Sequence, residues 1–333
     1  DRRTELIEDD SATLPVVENK PVAEDTAILR LRDGQLRRMS PRMVDKYLAQ
    51  PGAKDEVVET IQTATDETLY FFTNRGNCFM LDVTRIPETM KLKDRGSLLT
   101  GLIAGLADHE HAVALVCVKS DEMAKKGDFL FITKNGQVKR TAAAEYGIRR
   151  ACFAAINLKG NDELVGMVQV DPEDKDDIIL ITQLGMALRF KLDTVSCTGR
   201  ATAGVRGIDV GKDDEVRWFE IPKAGDMLFV LSDRGFGKRM LSDDVERQGR
   251  AGKGQKLLPM NKTGETGTQV AVCLNVTGAK SVRVEQKHGH TVLLNMDEIA
   301  VERRASKGQL LVNVLLDDVV QYGALTAETK DEK

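Results

Sequence analysis

Residues 129–140 read FLFITKNGQVKR: an apolar run with β-branched and aromatic members, a polar turn closing on Asn135-Gly136, and a second run ending in two bases. Asn-Gly between two such runs is a strong hairpin signal, because glycine takes the positive φ of a tight turn at no Cβ cost. The stretch is therefore a β-hairpin, and its turn sets the strand register. The pattern returns five times, as ILRLRDGQLRR at 28–38, LYFFTNRGNCFM at 69–80, IILITQLGMALR at 178–189, MLFVLSDRGFGKR at 227–239 and SVRVEQKHGHTV at 281–292. The turn glycines Gly34, Gly76, Gly136, Gly185, Gly235 and Gly289 stand 42, 60, 49, 50 and 54 residues apart, which suits a propeller-type blade of about four strands. The expected fold is all-β, a six-bladed propeller-like ring of four-stranded antiparallel blades over residues 26–325.

A second element follows most hairpins: a small, basic, Gly-containing loop that leads into another apolar strand. It reads KDRGSLL at 93–99, GIRRACF at 147–153, GRATAGVRGI at 199–208, GRAGKGQKL at 249–257 and RRASKGQLL at 303–311. Acids gather elsewhere, at 171–177 and 213–215, between units. Repeated units present equivalent positions on one side, so bases and acids are expected on different faces. Only 43–50 and 120–126 read as a turn or two of helix. Residues 1–25, with 8 acids against 3 bases, read as an acidic linker, and 326–333 as a polar tail.

The chain has 333 residues, with 41% apolar and 30% charged, enough to bury a substantial core. Its net charge of −4 is set by the ends; without 1–25 and 319–333 there remain 43 bases and 41 acids. The positions of the bases decide the partner, and the total does not. Five widely spaced cysteines without a C-x-x-C pair fit a reducing compartment. No apolar run approaches the ~18 residues of a membrane span, and the opening DRRTE does not read as a signal peptide, so a cytoplasmic protein without membrane contact is expected.

Sharper motifs fail on their spacing. A phosphate-binding loop of the G-x-x-x-x-G-K-[ST] type would need glycine where Arg247 stands and Ser or Thr where Gly254 stands. Gly235-Phe-Gly237 lacks the helix and third glycine of a dinucleotide site. His109 and His111, or His288 and His290, have no third metal ligand and read as surface pairs, so no metal site is assigned. Trp218 reads as a packing residue near a blade edge.

The hairpins, the basic glycine loops and the opening DRRTE together resemble the C-terminal domain of the A subunit of bacterial type IIA DNA topoisomerases, the β-pinwheel of DNA gyrase and topoisomerase IV. The resemblance covers essentially the whole chain. It implies six blades in a ring with duplex DNA on the basic outer rim. As partners it implies the N-terminal cleavage core of the same polypeptide and the ATPase B subunit. ATP and Mg²⁺ would belong to the parent enzyme, and this fragment would hold no cofactor. Gyrase A subunits carry a Q-R-R-G-G-K-G box in the first unit. Here Gln248, Gly249, Arg250, Ala251, Gly252, Lys253 and Gly254 match five of seven positions but lie in the fifth unit, while 47–54, YLAQPGAK, is unlike the box. Together with TNRGN at 73–77 and KDRG at 93–96, this favours a topoisomerase IV-like domain; a gyrase wrapping domain with a displaced, degenerate box is the alternative.

Holding DNA without reading bases takes Arg, Lys and backbone N–H groups aimed at phosphates. The loop bases Arg149, Arg150, Arg200, Arg206, Arg250, Lys253, Lys256, Arg303, Arg304 and Lys307 are the expected DNA contacts. Arg37, Arg38, Lys139, Arg140, Arg189, Lys191, Lys238 and Arg239 on the hairpins are second choices, since a base on a strand is more often a solvated face. No catalytic residue is assigned: Tyr47, Tyr70, Tyr146 and Tyr322 lie in repeat strands or loops, and none has the flanking motif of the family's nucleophile. A protein-binding propeller is a rival of another class, but it lacks a Trp-Asp or Gly-Gly signature per blade. A sialidase-type propeller would need repeated S-x-D-x-G-x-x-W turns, and only 232–235 comes near.

Overall fold

The computed structural model describes residues 22–50, 57–148, 150–173, 175–260 and 263–326. Six antiparallel sheets follow one another, each opened by one of the six hairpins. Blade 1 pairs β1 (Asp25–Leu31) with β2 (Gln35–Met39), adds β3 (Val57–Ala64) beside β1, and takes β6 (Ser97–Leu98) beside β2. Blade 2 repeats this with β4 (Thr68–Thr73), β5 (Asn77–Asp82), β7 (Ala112–Val118) and β10 (Cys152–Ala154). Blade 3 uses β8 (Asp128–Thr133), β9 (Gln137–Ala142), β11 (Leu164–Val170) and β14 (Val205–Arg206). Blade 4 uses β12 (Asp177–Thr182), β13 (Met186–Lys191), β15 (Val216–Glu220) and β18 (Gln255–Lys256). Blade 5 uses β16 (Met227–Ser232), β17 (Phe236–Leu241), β19 (Val270–Asn275) and β22 (Gln309–Leu310). Blade 6 holds β20 (Ser281–Gln286), β21 (Thr291–Asn295) and β23 (Val320–Leu325).

All six hairpin glycines have φ between +76° and +89°, the left-handed conformation their turns demand. The edge strands carry a feature that the linear pattern does not display. In blades 1 to 5 the short outer strand of two or three residues beside the hairpin comes from the unit that follows: β6 follows β5 in the chain yet pairs with β2, and β14 follows β13 yet pairs with β9. Each basic loop is thus the outermost edge of the blade before it. Four strands were expected in every blade; blade 6 has three among the described residues.

Five apolar clusters join neighbouring blades because the strands opening the hairpins are buried on both faces. In β4, Leu69 and Phe71 face blade 1, while Tyr70 and Phe72 face blade 3. Phe72 meets Phe129, Phe131 and Tyr146 edge-on, with centroids 5.5, 5.5 and 5.6 Å away. Full burial of each such side chain contributes about 1.5–3 kcal/mol. Trp218 packs on the cluster between blades 4 and 5. A sixth cluster lies within blade 1, where α1 (Pro41–Leu48) lays Val44 and Tyr47 on Ala27, Leu29, Leu31 and Met39. That helix starts two residues earlier than its pattern predicts, with proline in the first turn, where no N–H is needed. Residues 120–126 form a 3₁₀ segment.

No apolar cluster spans blades 6 and 1 among the described residues. There, Arg32 Nη1 lies 2.6 Å from Glu285 Oε2, and its guanidinium carbon lies 4.0 Å from the centre of the Tyr322 ring. The acids between units hold turns and bases in place. Asp162, Asp214 and Asp318, each just before the third strand of its blade, accept a backbone N–H from the hairpin turn of that same blade, at 2.9, 2.9 and 3.1 Å. Asp177, expected on an acidic face, is buried and receives Arg189 at 2.7 Å and Arg247 at 2.9 Å.

Candidate nucleic-acid interface

The candidate interface is the outer edge formed by the five short strands and the loops that deliver them. Each loop must rise along the second hairpin strand before pairing with it, and glycine makes that approach possible. A Cβ on Gly204, Gly254 or Gly308 would stand 2.5, 2.4 or 2.3 Å from the carbonyl oxygen of Val138, Ala187 or Gly237. These residues have φ of +83°, +77° and +73°, so two separate constraints select glycine. The loop glycines therefore bring the chain against its own backbone.

Consecutive loops touch. Asn157 N–H donates to Thr202 O at 3.1 Å, Ala251 N–H to Gly207 O at 2.7 Å, and Asp209 N–H to Gly252 O at 2.8 Å. Arg200 Nη1 donates to Ala154 O at 2.6 Å with its guanidinium over the Phe153 ring, Arg250 Nη1 donates to Arg206 O, and Arg304 Nη1 to Lys256 O at 2.9 Å. The edges of blades 2, 3, 4 and 5 thus form one connected strip.

Along this strip the cations separate into two kinds. Arg150, Lys253, Lys256, Arg303 and Lys307 are exposed, and none has an ion pair among the described residues. Arg206 is exposed, with Asp209 Oδ1 3.5 Å away. Arg200, Arg250 and Arg304 are half-buried on the carbonyls just named. Arg149 lies outside the described residues. The box-like stretch from Gln248 to Gly254 is the outer loop of blade 4. Its Ala251 holds φ at +69°, a left-handed conformation that glycine would take more readily. Lys93 and Arg95, exposed on the blade 1 edge, occupy the same loop and extend the set; their glycine loop was the available signal.

The hairpin bases mostly turn inward. Lys139 and Lys238 are fully buried beneath the strip. Lys139 Nζ donates to Ala155 O at 3.1 Å and to Arg200 O; Lys238 Nζ donates to the carbonyls of Arg303, Arg304 and Ser306 at 3.0, 2.6 and 2.5 Å. Burial, with the Arg200 charge adding to it, lowers Lys139 to about 8. Burial also brings Lys238 to about 8, against the opposing pull of Glu302. Arg37 Nη1 reaches Leu92 O at 3.3 Å, Arg38 Nε reaches Ile86 O at 2.7 Å, and Arg239 Nε reaches Ile299 O at 2.8 Å. Arg140 and Arg189 are held by Asp128 and Asp177 at 2.6 and 2.7 Å. Lys191 is exposed. Of the tyrosines, Tyr47, Tyr70 and Tyr146 are buried, and Tyr322 lies half-buried under Arg32.

Six hairpin-built blades, five of which borrow an outer strand from the next unit among the described residues, with cations along that borrowed edge, define the chain as a six-bladed β-pinwheel. A family model described as the DNA gyrase C-terminal domain, beta-propeller, matches residues 127–171, 176–223 and 226–267. The A subunit of DNA gyrase from Deinococcus deserti is 32% identical over 326 residues, 93% of this chain and 39% of the relative. The A subunit of DNA topoisomerase 4 from Bacillus subtilis is 32% identical over 264 residues, 78% of this chain and 32% of the relative. The chain thus spans between three and four tenths of the length of these curated relatives. A solved C-terminal domain of DNA topoisomerase IV superposes with a TM-score of 0.80 at 24% identity, covering 91% of this chain and 94% of that one, and a DNA gyrase A C-terminal domain superposes at 0.63 and 19%, covering 91% and 100%. At those identities the two likenesses speak for the fold. The chain belongs to the family of C-terminal β-pinwheel domains of type IIA topoisomerase A subunits, which includes those of DNA gyrase and topoisomerase IV.

Proposed function

We propose that this domain binds and bends duplex DNA along its outer rim without sequence preference, and presents the bound segment to a type IIA cleavage core. The observation that carries this is the connected strip across blades 2 to 5, with exposed cations at Arg150, Lys253, Lys256, Arg303 and Lys307 that have no carboxylate partner among the described residues. Bending a 20–30 bp site by 40–90° costs on the order of 1–6 kcal/mol, more than one loop supplies and within reach of several spaced along a curve. The domain itself takes no chemical step. The cleavage core of the same polypeptide, the ATPase B subunit, ATP and Mg²⁺ belong to the parent enzyme in the cytoplasm.

Of the two relatives, topoisomerase IV is the better model. The box-like stretch sits on the blade 4 edge, and the first unit departs from the box at 47–50. Residues 51–54 of that comparison lie outside the described set.

The test is to bind the chain to nicked circular DNA, religate, and read the linking number. A small shift is expected; a large positive shift means gyrase-type wrapping. In parallel, Lys253→Glu with Lys256→Glu should weaken binding equally on unrelated sequences, and loss confined to one sequence would overturn backbone recognition. Binding that ignores salt would point instead to a protein-binding propeller.

A further inference from the structure

The three half-buried arginines occupy one position of the repeat. Arg200, Arg250 and Arg304 each precede by four residues the glycine that brings the loop against the hairpin, Gly204, Gly254 and Gly308. Each sends a guanidinium N–H sideways to a carbonyl on the edge of the preceding blade: Arg200 to Ala154 in β10, Arg250 to Arg206 in β14, and Arg304 to Lys256 in β18. Two of the three acceptors are carbonyls of residues whose own side chains are exposed cations. Arg200 also covers the Phe153 ring of the neighbouring blade at 5.1 Å, and Nε of Arg250 is sealed from solvent without an acceptor. From beneath, Lys139 grips the Arg200 carbonyl and Lys238 the Arg304 carbonyl. Arg200 and Arg304 are thus each held at the backbone from the blade interior while the side chain holds the edge of the preceding blade. A planar guanidinium fork suits this better than an ammonium, because it fixes a direction as well as a charge.

We propose that Arg200, Arg250 and Arg304 are positioning residues that tie the edges of blades 2, 3, 4 and 5 together and so set the spacing of the cation track, leaving phosphate contact to Arg150, Arg206, Lys253, Lys256, Arg303 and Lys307. This rests on the DNA-binding reading and divides its residues into two roles. A tied strip holds its cations at fixed separations, so the curvature imposed on the duplex follows from blade spacing. A rim of independent loops would instead adapt to a straight duplex.

The salt dependence of affinity separates the roles, since log affinity falls by about 0.9 per neutralised phosphate for each log unit of salt. Lys253→Gln with Lys256→Gln should reduce that slope by about 1.8, with the bend at saturating protein unchanged. Arg250→Gln with Arg304→Gln should change the slope by less than about half of one phosphate's 0.9, yet reduce the bend, read as the end-to-end distance of a doubly labelled duplex. An arginine pair that costs as much slope as the lysine pair and leaves the bend intact overturns the proposal. Should the arginine variant fail to fold, the unaltered chain supplies a second measurement. A guanidine-reactive dicarbonyl should modify Arg206 and Arg303 quickly and be blocked there by duplex DNA. At Arg200, Arg250 and Arg304 it should react slowly whether or not DNA is present. Protection of those three by DNA to the same extent as Arg303 overturns the proposal. A parent chain whose binding shows no salt slope refutes DNA binding itself, which is a separate failure.

Discussion

The joint between blades 2 and 3 and the joint between blades 6 and 1 use the same positions of the same repeat in opposite ways. In blade 2, the residues six and four before the turn glycine are Tyr70 and Phe72, and both enter the cluster shared with blade 3. Blade 3 has Leu130 and Ile132 there, blade 4 Ile179 and Ile181, and blade 5 Phe229 and Leu231, each pair buried against the next blade. Blade 6 has Arg283 and Glu285, which pair with one another at 2.8 Å, and Glu285 also receives Arg32. On the other side of that joint, the face of β1 that would meet blade 6 is covered by α1. Among the described residues, cohesion in this ring comes from apolar burial at five joints and from partly exposed ionic contacts at the sixth. An exposed ion pair contributes about 0–1 kcal/mol and is screened by salt.

The contrast can be broken most forcefully at Phe72. Truncation to alanine removes an aromatic group that contacts three others, and should cost about 3–5 kcal/mol in urea unfolding. If the loss is no larger than at the seam, apolar cohesion at that joint is refuted. Next is Lys238→Met, which strands three carbonyls under the blade 5 edge. It should cost about 1–3 kcal/mol at pH 7, and amide exchange should quicken in residues 303–310 first.

The same lysines give a pH signature whose sign is fixed. Lys139 and Lys238 lose their protons near 8 in the fold, against an ordinary value of 10.5. Between those values the unfolded chain holds more protons, so their contribution to stability rises with pH. Urea midpoints measured across that window should show the rise, and Lys139→Met with Lys238→Met should remove it.

A smaller effect, of opposite sign, belongs to the contact between blades 3 and 4. Ala251→Gly relieves the left-handed φ and should raise stability by about 1 kcal/mol, read from the shift in thermal midpoint. The smallest change is expected at the seam. Arg32→Ala should lower global stability by less than about 1 kcal/mol, and the difference should vanish at high salt. A loss there as large as that at Phe72 would erase the distinction between the two kinds of joint.

Much of this was legible in the residues because turns and strands are local. Each glycine turn marks its hairpin, and continuous apolar runs such as 129–132 mark strands buried on both faces. The seam was legible too, though only by counting register: SVRVEQ of the sixth unit and ILRLR of the first, the two units that meet there, alternate where units 2 to 5 run apolar. The exchange of outer strands left no such mark, because two or three residues carry no periodicity and their partner lies 60 or more residues back, as with Arg206 and Gln137. The roles of the bases escaped for the same reason. Lys139 and Lys238 look like strand-surface cations until the following loop closes over them, and Arg250 looks like Lys253 until the neighbouring carbonyl is in place. Charge is written in the sequence, but what it faces is decided by contacts between distant units.

The borrowed outer strands make the blades interdependent in a way that unit counting conceals. Blade 5 lacks its rim until residues 309–310, far into the sixth unit, have been synthesised, so the ring is finished one step behind the ribosome. A stop codon just after blade 5's own third strand would therefore strip the outermost strand from a blade whose other three strands were left whole.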